Sequence, residues 1–300
     1  MLELADAGAT PRMLIEGFDY DFTLVGSDVR TLFFRTTSNA PRGRLIAIEV
    51  DRPAAEHWRE IIPESANVLT ELSFVGGRFV AEYMQDAWSL VRLFEMDGRP
   101  AGDLELPGIG SASGFKGSAS DPETFYSYSS FDTPPTINRL DAHTGKSEVF
   151  KQPTVDFDSD EYTVEQRFYH SADGTRIPMF IAHRKGLRLD GSNPTVLYGY
   201  GGFNISLKPA FSVTQLAWME LGGVWAVANL RGGGEYGEEW HKAGTRLKKQ
   251  NVFDDFIAAG EYLIEQKYTN PGKLAIFGGS NGGLLVGAVT NQRPELFAAA

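Results

Sequence analysis

The sequence predicts two regions of different class: an all-β repeat, then an α/β region with a mostly parallel sheet. Three observations carry this reading. Residues 18–153 hold short alternating segments separated by Gly, Asp, Pro and Ser. Beyond them, short apolar strands alternate with residues at helical spacing. Over 300 residues, 42% are hydrophobic and 22% charged, the balance of an ordinary globular protein.

In the first region, four strands are expected at Tyr20–Val25, Thr31–Thr36, Arg44–Val50 and Trp58–Ile62. A second set lies at Val68–Phe74, Arg78–Met84, Ser89–Glu95 and Asp103–Leu106. A third lies at Gly114–Ala119, Thr124–Ser129, Thr136–Leu140 and Ser147–Lys151. Each set ends with an apolar strand, an acidic turn and a last short strand, as in "GRLIAIEVD", "SLVRLFEMDG" and "TINRLDAHTG". A four-stranded unit recurring at about 40–50 residues is the sequence sign of propeller blades. An all-β sandwich is the alternative. Three blades do not close a ring, so a partial β-propeller is expected, with the chain starting inside a larger protein.

The boundary is expected in the acidic stretch Gln152–Asp160, which divides the chain into residues 1–155 and 156–300. A hairpin follows, Thr163–Tyr169 and Ile177–His183 around Ala172-Asp173-Gly174. Thr195–Tyr198 and Val224–Asn229 read as buried strands, with a helix from Val213 to Leu221 that stops at Gly222. Phe253, Phe256, Ile257, Leu263 and Ile264 form one helical face, with Asn251 the expected cap and Asp254 and Asp255 near the helix N-terminus. Leu274–Phe277 is a further strand, and Leu284–Val289 lies on the helix after it.

Composition narrows the function. The 39 acidic residues exceed the 28 basic ones, a formal net charge of -11, which disfavours nucleic-acid backbones and anionic membrane surfaces. Cysteine is absent, which removes disulfides, thiolate catalysis and Cys-type zinc sites. With no basic-then-apolar pattern in Met1–Pro11, a cytoplasmic location is expected, although a missing N-terminus would hide a signal peptide.

The chemistry centres on Gly278-Gly279-Ser280-Asn281-Gly282-Gly283, which follows the strand Leu274–Phe277. This is the G-x-S-x-G nucleophile elbow of α/β-hydrolases in its strand–turn–helix context. The glycines leave room for a sharp turn that lifts the Ser280 hydroxyl. The backbone N–H of Asn281 is placed to donate to an oxyanion. A structural serine in a glycine-rich turn is the plain alternative. A second glycine-rich run, Tyr198-Gly199-Tyr200-Gly201-Gly202-Phe203-Asn204, follows an early strand, where the second oxyanion donor belongs. The Tyr200 phenol is a candidate for that donor, and packed aromatics beside a tight turn are the alternative. Gly232–Gly237 also fits G-x-G-x-x-G, with Asp254 and Asp255 roughly 20 residues on. Glu235, Glu238 and Glu239 crowd that loop and repel a pyrophosphate, with Arg231 and Lys242 offsetting only part of their charge, so a structural loop is expected there. All five histidines, His57, His143, His170, His183 and His241, precede Ser280, whereas the hydrolase order puts the base after it. His241 is expected to be structural.

In their order and spacing, "YGYGGFNIS" (198–206), "RGGGEYG" (231–237), "KKQNVFDDF" (248–256) and "GGSNGGLLV" (278–286) resemble prolyl oligopeptidase, a family of serine peptidases. The resemblance runs from about Phe18 to Ala300. It implies a partial β-propeller of about three blades joined to a partial α/β-hydrolase fold. It implies Ser280 as nucleophile, Tyr200 and Asn281 as the oxyanion hole, and Phe203 as a wall of the pocket for a proline ring. It implies hydrolysis of short proline-containing peptides on the carboxyl side of proline, by a monomer with no cofactor or metal. The family's catalytic Asp and His are expected beyond Ala300, so the 300 residues alone are expected to be inactive. The related oligopeptidase B group usually has alanine after the serine, and Asn281 favours the prolyl group. A catalytically dead binding module is the rival from another class.

Overall fold

The structure is a computed structural model that describes residues 13–300; Met1–Pro11 lies outside the described residues. Three four-stranded antiparallel sheets follow one another along the chain. The first is β1 (Phe22–Asp28), β2 (Thr31–Thr36), β3 (Arg44–Glu49) and β4 (Arg59–Ile62). The second is β5 (Val68–Val75), β6 (Arg78–Gln85), β7 (Trp88–Glu95) and β8 (Pro100–Leu104). The third is β9 (Ser111–Lys116), β10 (Glu123–Ser129), β11 (Thr136–Asp141) and β12 (Ser147–Lys151).

Each sheet is a meander whose spatial order is its chain order, and each packs face-on against the next. Phe33, Leu45 and Ile62 of the first sheet meet Phe74, Phe79 and Phe94 of the second. On its other face, the second sheet sends Val80, Val91 and Leu93 against Phe115, Tyr126 and Leu140 of the third. A middle layer buried on both faces is blade stacking, and a two-sheet sandwich has no such layer. It also explains why β6 reads as nearly continuous burial and not as alternation. Strand limits differ from the sequence expectation where the ladder is irregular: β1 runs on to Asp28 through a register shift between Leu24 and Gly26.

The second region is one five-stranded sheet. It begins with the hairpin β13 (Tyr162–His170) and β14 (Arg176–Arg184), then β15 (Thr195–Tyr198). Helix α1 (Val213–Glu220) leads to β16 (Val224–Ala228); α2 (Glu238–Lys242) and α3 (Gln250–Glu265) lead to β17 (Leu274–Phe277) and α4 (Asn281–Gln292). The strand order is β13-β14-β16-β15-β17. The β16–β15 and β15–β17 pairings are parallel, whereas β13–β14 and β14–β16 are antiparallel, so the sheet is mixed. Val252, Phe256, Ala259 and Leu263 of α3, with Leu285 and Val289 of α4, cover the face formed by Met179, Leu197 and Ala226. Asn251 is not the cap of α3. Lys249 holds that position, and the Asn251 amide donates instead to Ala243 O at 2.9 Å.

The two regions meet along a seam. Ala87 and Phe131 from the blades pack with Phe180, Leu216, Met219 and Val227. Tyr236 donates to Asp86 Oδ1 at 2.6 Å, and Ser111 to Pro209 O at 2.7 Å.

Candidate active site

Ser280 stands where β17 ends and α4 begins. Its backbone has φ 54° and ψ -117°, a left-handed conformation that costs a non-glycine residue on the order of 1–3 kcal/mol. The close approach of the elbow explains its glycines. A Cβ at 278 would lie 2.5 Å from Gly282 O, and one at 282 would lie 2.9 Å from Gly199 O and 3.8 Å from the Tyr200 ring. Ser280 is exposed, and its hydroxyl makes no capping bond to α4, the role an ordinary helix-capping serine takes. In the first turn of α4 the Gly282 and Gly283 N–H groups donate to Gly279 O and Ser280 O, whereas the Asn281 N–H has no partner within the helix.

Tyr200 and Phe203 sit on the connection after β15, beside the elbow. Asn281 joins the two: its side-chain amide donates to Tyr200 O at 2.7 Å. Gly202 permits this, since a Cβ there would stand 2.5 Å from Asn281 Nδ2. From the sequence only the backbone of Asn281 has a role; the paired glycines after Tyr200 are the signal that a side chain approaches there. The Tyr200 side chain is half-buried. Phe203 is 74% exposed, and it and Asn204 both have left-handed backbone, φ 54° and 58°. The start of this connection is held by Lys249, which donates to Gly201 O at 2.6 Å; burial lowers the Lys249 pKa below its usual value.

Gly232–Gly237 packs under this same connection. Gly232 O accepts the Asn204 N–H at 3.1 Å, and His241 Nδ1 lies 3.1 Å from Asn204 N and 2.8 Å from Gly232 O. His241 therefore braces two loops. Glu235 does not line a phosphate cradle: it is 1% exposed and turned inward. Glu238 and Glu239 lie outside, each within 4 Å of Lys242 Nζ.

Arg231, 4% exposed, makes a bidentate pair with the fully buried Asp255, 2.6 Å from Nη2 to Oδ1. It also bonds Asp173, Thr175 and Ser171 in the hairpin turn. Hydrogen bonding to Arg231 holds the Asp173 pKa at about 2. This cluster is not legible in the sequence, where Arg231 reads as a counter-charge and Asp255 as a helix-end charge. Its signal is an arginine three residues after the buried strand β16.

A cleft of about 570 Å³ opens between the regions, lined by Arg35, Arg42 and Leu69 on one side and Asn204, Ser206 and Glu238 on the other. Among the described residues no three His, Asp or Glu side chains group as metal ligands, and no helix is long and apolar enough to cross a membrane.

Stacked propeller blades joined to a sheet whose carboxyl edge carries a strained serine elbow define the class of propeller-linked α/β-hydrolase proteins. The chain belongs to the prolyl oligopeptidase family: the family's N-terminal β-propeller domain matches residues 1–153, and its peptidase region matches residues 209–300. The prolyl endopeptidase of Elizabethkingia miricola is 49% identical over 283 residues, covering 94% of this chain and 40% of the relative. That of Dictyostelium discoideum is 40% identical over 298 residues, with 95% and 39% covered. A solved prolyl endopeptidase superposes with a TM-score of 0.91 at 48% identity, over 95% of this chain and 42% of its own. Prolyl oligopeptidase B from Galerina marginata, bound to a 35mer hydrolysis and macrocyclization substrate, superposes with a TM-score of 0.88 at 36% identity, over 95% and 40%. The chain thus spans about 40% of the length of the curated relatives it matches.

Proposed function

We propose that the whole protein carrying these residues is a serine endopeptidase that cleaves short peptides on the carboxyl side of proline. The observation that carries this is the strained, exposed Ser280, with the Tyr200 connection clipped beside it by the Asn281 amide. In this reading the Ser280 hydroxyl attacks the scissile carbonyl as a general base of the whole protein takes its proton. The Tyr200 O–H and Asn281 N–H hold the oxyanion. The amine leaves with a proton from that base, and water hydrolyses the ester to regenerate the serine. Each oxyanion donor contributes about 3 kcal/mol to barrier lowering. Phe203 forms a wall for the proline ring. No cofactor or metal takes part. The bound peptide in the Galerina relative supports a peptide partner.

The test uses the full-length protein and a proline-linked fluorogenic peptide. Ser280→Ala is expected to lower kcat by about 10⁴–10⁶-fold. Undiminished turnover would remove Ser280 as nucleophile. A full-length protein that neither turns over the peptide nor takes up a fluorophosphonate label would favour a binding module. The proposal extends to a cytoplasmic monomer, which cell fractionation and light scattering check.

A further inference from the structure

The connection from Tyr200 to Leu207 is irregular backbone that carries two consecutive left-handed residues, Phe203 and Asn204. Phe203 is largely exposed, so its direction depends on how the backbone on either side is fixed. Before Phe203 the anchors are Asn281 at Tyr200 O and Lys249 at Gly201 O; just after it the Asn204 N–H donates to Gly232 O at 3.1 Å and the Ile205 N–H to Gly202 O at 3.1 Å. On the far side both polar groups of the Leu207 backbone are held by side chains from the β16–α2 connection. The Leu207 N–H donates to Glu235 Oε1 at 3.0 Å, and Asn229 Nδ2 donates to Leu207 O at 2.6 Å. The same Nδ2 lies 3.3 Å from Glu235 Oε1, which locks the two side chains together.

We propose that Glu235 is a positioning residue, whose buried carboxyl oxygen fixes Leu207 and thereby the direction in which Phe203 walls the pocket. This rests on the peptidase reading above, and it assigns Glu235 a part in substrate binding without contact with substrate.

The chemistry of the site favours this over packing. Asn229 and Glu235 are 0% and 1% exposed. A buried carboxyl is costly without partners, and this one has few. Its Oε2 has no hydrogen-bond partner, the neighbouring Trp240 indole N–H being committed to Leu230 O at 3.1 Å. A side chain kept only to fill space at this point needs no oxygen. The oxygen that is satisfied is the one that holds Leu207. Burial pushes the Glu235 pKa up to about 7, so near neutral pH both the acid and the carboxylate are populated, and either presents Oε1 as an acceptor.

The geometry also separates binding from chemistry. Leu207 lies four residues from Phe203, whereas Tyr200 has its own anchor in Asn281. Loosening Leu207 should therefore raise KM and leave kcat nearly untouched.

Two substitutions of nearly equal polarity decide the matter in the full-length protein. Glu235→Gln keeps an oxygen at the Oε1 position, whereas Glu235→Asp is one methylene shorter and draws it back. For a proline-linked peptide, Glu235→Asp is expected to raise KM about tenfold with kcat within about threefold, and Glu235→Gln to stay within about twofold of wild type in both. Amide hydrogen exchange is expected to show Leu207 losing protection by about tenfold in Glu235→Asp only. Equal KM in the two variants overturns the proposal, as does Leu207 protection unchanged in Glu235→Asp. An inactive wild type sinks the peptidase reading instead, and the exchange comparison, which needs no turnover, still decides the clamp.

Discussion

In the blades, β6 buries six successive residues from Phe79 to Met84, and most of the ion pairs stand outside, as at Arg139 with Glu148 and Arg59 with Glu49. In the α/β region the side chains that tie loops together are polar, and two pairs of them are buried: Arg231 with Asp255, and Glu235 with Asn229. The difference follows from what each must hold. A sheet face needs apolar contact, which has no direction, and many side chains satisfy it. A loop such as Tyr200–Leu207 has no ladder, so its N–H and C=O groups must find specific partners, and directional bonds from elsewhere in the chain supply them. Among the described blade residues Glu82, in β6, is the one buried acid, its pKa raised to about 7 by burial, and the other buried polar groups there are neutral, such as Ser89 and Thr124.

The largest effect that tests this contrast is at Asp255. Asp255→Ala leaves Arg231 buried with only the half-exposed Asp173 as an acid, and is expected to lower stability by about 3–5 kcal/mol in urea unfolding. Replacing both partners by leucine is expected to recover much of that loss, since an apolar pair leaves no charge stranded. A cost below about 1 kcal/mol for Asp255→Ala would mean that the α/β region is held like the blades.

The next effect is a pH slope. The folded-state pKa of Glu235, about 7, lies above the usual 4.5, so folding binds a proton there. The stability that comes with that proton is full below pH 4.5 and is lost as pH rises through about 7. Glu235→Gln carries no such proton, so relative to wild type it should gain up to about 3 kcal/mol between pH 4.5 and pH 8. Urea midpoints at the two pH values measure this directly. Parallel stability curves for wild type and variant would show that Glu235 is ionised and well solvated when folded.

Much of this was legible in the sequence, for physical reasons that differ by region. Most blade strands read well because alternation and turn residues act over a few positions; where the ladder slips, the limits are missed, as β1 continues past Val25 to Asp28, and β8 and β9 occupy Pro100–Leu104 and Ser111–Lys116 in place of Asp103–Leu106 and Gly114–Ala119. The serine elbow read well because its steric demand for glycine falls within five residues. What stayed hidden is polar contact between distant positions. Glu235 reads as a loop acid repelling phosphate, whereas it is buried and accepts from Leu207, 28 residues earlier. Asn281 meets Tyr200 across 81 residues, and only the room left by Gly202 hints at it. Asp255 sits on a helix whose apolar spacing conceals that one inward position is a carboxylate paired 24 residues back with Arg231.

The smallest expected effect tests the blade side of the contrast. Arg139 on β11 lies between Glu148 on β12 and Glu123 on β10, with Nη1 3.5 Å from Glu123 Oε2. All three side chains are more than 40% exposed, so water and salt compete for every charge. Arg139→Ala leaves the two acids solvated and strands no buried group, so the loss should be under about 1 kcal/mol and should shrink further in about 0.5 M salt. A salt-resistant loss of about 2 kcal/mol or more would mean that the arginine stem packs across β10–β12 and that blade ion pairs carry more than charge. The division between apolar blades and polar-clamped loops would then rest on packing geometry rather than on where the charges lie.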